Sequence, residues 1–488
     1  MDGDINMTKK INNWINGNEV EPKTKKWVEK INPHNGKIDS LFADSNSEDI
    51  NDAIVVAQNS FNDWSTLTPV ERGNILFKFV EHMKASEDLL AECVARETGK
   101  SIKDAFGEVQ GSIAQGEYFS GEGRRLYSRS LTSGVVGKYS HTVRMPLGVA
   151  GLIVPANTPI ANIAWKIFPA LICGNTVVLK ASEDSPEVAL IMAGLAKKAG
   201  LPDGSLNVIQ GTGLNAGNPL VESDKVQIIS FTGSTDVGKS IASTVGKRMG
   251  RVSLELGGKN PLVVCADSDI ENAIHWSILS AFSNAGQRCA SGSKILIFDE
   301  IYDEFTQKLV EQTLLLRLGI KDQCDLGPVM NLKQQDNIIE SLNVAVKEGG
   351  KILCGGKKSE DPDLINGFYV EPTLIEGLNQ DAELSCNEIF GPVASLHAVG
   401  DLEEAIEISN GTNYGLTAAI HTKDIDTAIK YAQKVRAGVV NINAGTYGSE
   451  PHMPFGGFGF SGNGTREPGV EALDVYSETK NISFVLTS

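Results

Sequence analysis

Gly148-Val149-Ala150-Gly151-Leu152-Ile153-Val154 carries no polar side chain, and an apolar run of this length bounded by Pro146 and Pro155 reads as a strand buried on both faces. Downstream of it helix and strand patterns alternate. Residues 160–173 have helical spacing, 176–179 a strand pattern, 186–199 a helix, 206–209 and 226–231 strands, and 237–245 a helix. Strict alternation of this kind predicts a parallel, doubly wound α/β sheet whose ligands sit at the carboxyl ends of its strands. A second α/β set opens near 258. It has strands over 261–264 and 294–297 around a helix over 270–282, then amphipathic helices over 402–410 and 425–436 and a strand over 439–442.

Upstream, Asn16-Gly17 marks a hairpin turn, and Ser45-x-x-Glu48 has the spacing of a capping box ahead of a helix carrying Ile50, Ala53, Ile54 and Ala57. Further helices are expected over 70–86, 88–98 and 101–118. Residues 126–146 alternate around Ser133-Gly134 as a hairpin able to stand away from its domain, and 476–486 reads as a terminal strand. The expected division is a dinucleotide-binding domain (1–125 and 147–257), a catalytic domain (258–460) and a β oligomerisation segment (126–146 and 461–488). Edge strands of that last kind are usually paired with another subunit, so a homodimer or homotetramer is expected.

The formal net charge of −17 argues against nucleic acid or an anionic membrane as partner, and requires a local cation for any anionic substrate. No apolar run approaches the roughly 18 residues of a membrane span. The acidic opening of residues 1–6 lacks the basic and apolar regions of a signal peptide. The seven cysteines show no CxxC pair and the seven histidines no metal-ligand spacing, so a reducing, cytoplasmic location and no metal are expected.

Four segments carry chemistry. In Asn284-Ala285-Gly286-Gln287-Arg288-Cys289-Ala290-Ser291 a sterically open cysteine is a candidate nucleophile, favoured as thiolate if backbone N–H groups supply positive potential. A lone cysteine is more often a small buried hydrophobe. In Leu254-Glu255-Leu256-Gly257-Gly258 a carboxylate among apolar residues suits a general base with a raised pKa, or is a solvated strand end. In Val154-Pro155-Ala156-Asn157-Thr158-Pro159 the Asn157 amide is placed to donate to an oxyanion, or merely to cap a turn. Phe231-Thr232-Gly233-Ser234-Thr235-Asp236-Val237-Gly238 is a strand, a glycine turn and a helix start, which together make a phosphate cradle without GxGxxG spacing.

With these segments stand Trp165-Lys166-Ile167-Phe168-Pro169-Ala170-Leu171, Gly174-Asn175-Thr176-Val177-Val178-Leu179-Lys180, Glu388-Ile389-Phe390-Gly391-Pro392, Asn413-Tyr414-Gly415-Leu416-Thr417-Ala418 and Pro454-Phe455-Gly456-Gly457. Taken together and in this order, the chain resembles the aldehyde dehydrogenase superfamily over nearly its whole length. The resemblance implies Cys289 as nucleophile, Glu255 as general base, and an oxyanion hole from the Asn157 side chain and the Cys289 N–H. It implies cofactor contacts from Lys180, Glu183, Gly233, Ser234, Gly238, Glu388 and Phe390. The reaction implied is oxidation of an aldehyde to a carboxylic acid through a thiohemiacetal and a thioester, with hydride passing to NAD(P). Glu183 after Lys180 accepts a ribose 2′-hydroxyl and repels a 2′-phosphate, which favours NAD over NADP.

The chain departs from the family where many members have tryptophan and phenylalanine around the asparagine. Here Ala156 and Thr158 stand there, with Asn162 next along the tunnel and Arg288 before the nucleophile. With Trp165 and Phe455 these outline a roomy, polar substrate channel suited to a semialdehyde-like substrate held by Arg288. Residues 458–467 also depart from the commonest form, which bears on subunit contacts or the channel mouth. The rival readings are a CoA-acylating dehydrogenase, against which Glu255 speaks, and a silent member of the fold, against which Cys289, Glu255 and Asn157 speak together.

Overall fold

The computed structural model describes residues 8–486; the acidic opening of residues 1–6 lies outside them. The apolar run around Gly151 forms the strand Val149–Ile153, an interior strand of a seven-stranded sheet. The sheet order is Arg251–Glu255, Ile228–Thr232, Val149–Ile153, Thr176–Lys180, Leu206–Ile209, Asn13–Ile15, Asn18–Val20. The first five strands are parallel, and the last two join antiparallel through the Asn16-Gly17 turn, where φ is 52° and 73°. Both residues are in the left-handed region that a tight hairpin of this twist requires.

The chain lays strands outward from Val149–Ile153 and then returns to its other flank with Ile228–Thr232. The strand order therefore reverses beside Ile153, which is where a doubly wound sheet opens its ligand crevice. Register fixes what lies along that edge. Ile153 pairs with Lys180 and with Phe231, and Thr232 with Glu255, so the candidate base and the cofactor turn end on one line. Helices Pro159–Ile172, Glu187–Lys198 and Thr235–Lys247 cross over between these strands. The first carries a nearly complete apolar surface and is buried along most of its length, packing on Ile102–Glu122 and Pro69–Lys84.

One expected helix start moves. The helix Ser47–Ser65 is capped by Asn46, whose side chain accepts from the N–H of Glu48 and Asp49 while the Asp49 carboxylate takes the Asn46 N–H. The box is shifted one residue from Ser45-x-x-Glu48 because the Ser45 hydroxyl is spent on Asn13 Oδ1 at 2.9 Å, tying the loop to the sheet.

A second seven-stranded sheet runs Lys351–Cys354, Thr373–Glu376, Val393–Val399, Lys294–Phe298, Pro261–Val264, Thr417–His421, Val439–Ile442, all parallel except its first strand. A third, small sheet joins distant parts of the chain. Lys138–Pro146 pairs antiparallel with Ser477–Val485 along its whole length and with Ser130–Leu131 on its other side. The hairpin over 126–146 and the terminal strand are thus one unit. Tyr139, Ile482, Phe484 and Val485 stand exposed on it. Among the described residues no helix is long and apolar enough to cross a membrane, and no group of three or more His, Cys, Asp or Glu could hold a metal ion.

Candidate active site

Cys289 does not follow a strand, as the other three segments do. It lies in the loop between the helix Ile270–Phe282 and the strand Lys294–Phe298. Three consecutive left-handed residues, Asn284 (φ 56°), Ala285 (54°) and Gly286 (67°), turn the chain there. Gly286 is obligatory on a second count, because a Cβ would come within 2.0 Å of the Gly391 carbonyl. The loop is held by side chains far apart in sequence. Asn260 Nδ2 donates to the carbonyls of Cys289 and Ser291, both at 2.8 Å, Thr446 Oγ1 to that of Ala290 at 2.6 Å, and Gln287 Oε1 accepts the Met330 N–H at 2.9 Å.

The cysteine stands between two cavities and lines both. One, of about 400 Å³, extends over the carboxyl edge of the first sheet past Gly233, Ser234, Glu255 and Glu388. The other, of about 470 Å³, opens past Arg288, Tyr447 and the helix Ile102–Glu122. Asn157, Thr158, Ala161, Trp165 and Phe455 line both as well, and the Trp165 and Phe455 rings meet edge-on at 5.5 Å. A reacting carbon at Cys289 is therefore reachable from two sides.

The thiol is not the ready thiolate expected from an electropositive loop. Burial pushes it up to about 12, with the carboxylates of Glu388 and Glu255 adding to the shift against smaller opposing effects of the Ala290 N–H and Arg288. Glu255 is 4 % exposed and neither carboxylate oxygen has a hydrogen-bond partner. Burial first, then the nearby charge of Glu467, holds it well above the usual carboxylate range, with Lys166 and Arg466 pulling the other way. Gly456 backs it closely: a Cβ there would lie 2.7 Å from Glu255 Oε1. The resting site thus carries a protonated thiol and a carboxyl that burial holds towards its neutral form.

Asn157 Nδ2 donates one hydrogen to Gln287 O at 2.8 Å, leaving its second free, and its Oδ1 is unpartnered. Its backbone carbonyl is gripped by Asn284 Nδ2 at 3.0 Å and by Lys100 Nζ at 2.9 Å. Lys100 in turn pairs with Glu108 at 2.6 Å, both side chains only 6 % exposed, and Glu108 also accepts the Ala161 N–H. This clamp fixes the loop that carries Asn157 into the wall it shares with Cys289. Asn157→Ala is expected to lower kcat by about 10²–10³-fold. A kcat left near wild type would remove Asn157 from the oxyanion hole.

On the cofactor side Ser234 is the N-cap residue of the helix Thr235–Lys247, yet its side chain makes no cap hydrogen bond, so its hydroxyl and the first-turn N–H groups are open to an anion. Lys180 is buried, its charge opposed by desolvation, with Glu183 its nearest acid at 3.8 Å; Glu183 also accepts the Gly213 N–H at 2.7 Å. Both sit by a third cavity, of about 410 Å³, lined by Lys180, Gly213, Phe231 and Val237. Glu388 accepts the Gly258 N–H at 3.0 Å and is pushed up to about 7 by burial, against that bond and Lys259. Phe390, at φ 55°, lines the central cavity beside it. Gly238 lines none of these three cavities. It lets the helix lie against the sheet, since a Cβ would meet Leu256 at 2.5 Å.

On the channel side Arg288 stacks over Tyr447 at 5.0 Å, its Nε has no partner, and it forms no salt bridge among the described residues. Thr158 lines the channel, but Asn162 lines only the cofactor-side cavity and spends its amide N–H groups on the Thr158 carbonyl and hydroxyl, both at 2.9 Å. None of residues 458–467 lines the channel. That segment runs behind the base: Ser461 O accepts the Leu256 N–H, Asn463 brackets Leu254 N and Val252 O, and Glu467 is buried. Glu467 receives Lys166 at 3.0 Å, the hydroxyls of Ser230 and Ser253, and Tyr476. Lys166 and Glu467 escaped sequence reading, since a buried pair separated by some 300 residues leaves no local pattern.

Comparison with known proteins agrees with this geometry. The profile of the aldehyde dehydrogenase family matches residues 20–482. The chain is 35% identical to the α-ketoglutaric semialdehyde dehydrogenase of Bacillus subtilis, over 96% of this chain and 97% of that one. It is also 35% identical to the retinaldehyde dehydrogenase 3 of Rattus norvegicus, over 97% and 92%. The solved structure of betaine aldehyde dehydrogenase from Staphylococcus aureus in complex with NAD+ superposes with a TM-score of 0.95 at 31% identity, over 97% of this chain and 94% of that one. With a matching profile over nearly its full length and the fold of its solved relatives, the chain belongs to the aldehyde dehydrogenase family.

Proposed function

We propose that the protein oxidises a polar, acid-bearing aldehyde, a semialdehyde, to the carboxylic acid with NAD as oxidant, through a thioester on Cys289. The observation that carries this reading is the place of Cys289 between two cavities, beside an unpartnered Glu255 carboxyl and a free Asn157 amide hydrogen. Aldehyde enters past Arg288. Cys289 releases its proton to solvent and its sulfur adds to the carbonyl carbon, the C=O π pair moving to oxygen, and the oxyanion is held by Asn157 Nδ2 and the Cys289 N–H. Bound nicotinamide supplies the acceptor for the hydride that this carbon loses. The resulting thioester is attacked by a water whose proton passes to Glu255, which releases the acid and restores the thiol.

The residues of the first and third cavities together fit a dinucleotide. The open helix start at Ser234 suits a pyrophosphate, Glu388 and Phe390 a nicotinamide riboside, and Lys180 with Glu183 an adenosine ribose; Glu183 favours NAD over NADP. The S. aureus relative was solved with NAD+. Gly238 acts in packing rather than contact.

Two relatives of equal identity have names that point to an acidic and to an apolar aldehyde, so identity does not choose between them. The channel supports the acidic one, since Arg288 has no carboxylate partner among the described residues. Arg288→Gln is expected to lower kcat/KM for carboxylate-bearing aldehydes by about 10–100-fold, the value of a charge-assisted hydrogen bond, and to spare neutral ones. Reduced cofactor would be followed across a panel of aldehydes; equal effects on both classes would discard the anion reading. Added CoA is expected to change neither rate nor product.

The exposed apolar strand Ser477–Val485 on the edge of the small sheet supports assembly into a homodimer or homotetramer through that edge. Seven free cysteines support a reducing, cytoplasmic setting. The net charge of −17 supports neither nucleic acid nor membrane as partner.

A further inference from the structure

The helix Ile102–Glu122 walls the channel with Gly107, Gly111, Ala114 and Gln115, residues spaced to share one face. Two glycines in a helix interior weaken it relative to alanine, and neither is needed for packing here, since a Cβ at Gly107 or Gly111 would meet nothing within 4 Å. Gly116, one position beyond Gln115, shows the contrast. A Cβ there would strike Val80 and Phe168, so that glycine is explained by helix contacts. The space beside Gly107 and Gly111 is left to the channel.

At the C-terminal end of this face stands Gln115. It is 2 % exposed, and its Oε1 is buried without a hydrogen-bond partner. A buried amide oxygen without a protein partner is costly, and a leucine or methionine at this position would bury without that cost. An unanswered acceptor calls for a donor. A carboxylate or phosphate brings none at neutral pH, whereas a hydroxyl does.

We propose that Gln115 is a specificity-determining residue, its amide hydrogen-bonding a hydroxyl carried on the chain of the aldehyde. The inference rests on the reading of the channel as a site for polar aldehydes, and it narrows the substrate class to hydroxylated semialdehydes. Arg288 on the nucleophile loop answers the acid group, and Gln115 on the helix answers the hydroxyl. A site built around a buried polar group discriminates steeply against the analogue that lacks its partner.

The test is kcat/KM for matched hydroxy and deoxy aldehydes, with the hydroxyl walked along the chain, each with and without a terminal carboxylate. The wild-type enzyme is expected to prefer the hydroxylated member of at least one pair by about tenfold or more. In Gln115→Met that ratio is expected to collapse towards unity. Gln115→Ala, which leaves room for a water, serves as the second variant should the first fold poorly, and is expected to reduce the ratio as well. A wild-type enzyme indifferent to every hydroxyl, or a ratio unchanged in both variants, overturns the proposal. Arg288→Gln run on the same pairs keeps the two readings apart. If it leaves the preference for carboxylates intact, the anion reading fails, while the hydroxyl ratio still judges Gln115.

Discussion

Replacing Cys289 by alanine is expected to lower kcat by on the order of 10⁶-fold, the scale of loss when a covalent nucleophile is removed from a site built around it. Six residues line both cavities, and among them only Cys289 and Thr158 carry a nucleophilic atom. The Thr158 hydroxyl already accepts from Asn162 and has no base beside it, so it offers no substitute. The cofactor cavity keeps its other walls, so the dissociation constant of NAD, read by fluorescence quenching, should show whether the variant is folded. The thiol pushed up to about 12 adds a pH signature. In the cofactor-free wild type, alkylation of Cys289 by iodoacetamide should climb about tenfold per pH unit through the alkaline range, because the thiolate is the reacting form. Readily measured turnover by the alanine variant would end the thioester mechanism.

The second large effect is expected of Glu255→Gln: a steady-state rate lower by about 10²–10⁴-fold, the range for loss of a general base. The first half of the reaction should survive. A rapid burst of reduced cofactor is expected, then near silence as the acyl-enzyme accumulates, visible as a mass increase on Cys289. In the wild type the hydrolytic step needs Glu255 as carboxylate. Burial and Glu467 hold its pKa above the usual range, so deacylation should rise with pH through that raised value. In the glutamine variant this rise should vanish. A variant that loses the burst as well as turnover would mean that Glu255 is needed to deprotonate Cys289.

Much of this site was legible in the sequence because local patterns report local structure. The apolar run at 148–154 and the alternation after it gave the strand order's raw material, and register then carries Lys180, Thr232 and Glu255 to one edge without further instruction. What stayed hidden depends on contacts between distant parts of the chain. Ser45 fits a capping box, but Asn13 claims its hydroxyl. Gly238 looks like part of a phosphate loop, but Leu256 needs its missing Cβ. Cys289 reads as an activated thiol, but the carboxylates that raise its pKa come from segments near 255 and 388. Gln115 looks like any polar residue on an amphipathic helix until its surroundings prove to be buried. The clamp from Lys100 and Glu108 onto Asn157 likewise has no signature in either segment alone.

The segment behind Glu255 has a consequence for how the protein is made. The strand Arg251–Glu255 leaves the ribosome long before Ser461, Asn463 and Glu467, which tie its backbone and set the field around its carboxyl. At typical elongation rates that gap lasts on the order of tens of seconds. Throughout it the base-bearing edge of the nascent chain is unfinished, and the acid that becomes Glu255's neighbour has not been synthesised. Completion of that edge therefore waits on residues 461–467. A chain released before residue 461 retains the thiol and the strands of the first sheet but lacks the cradle of its base. The order of synthesis thereby sets when the base-bearing edge can be completed: not before residue 467 has been made.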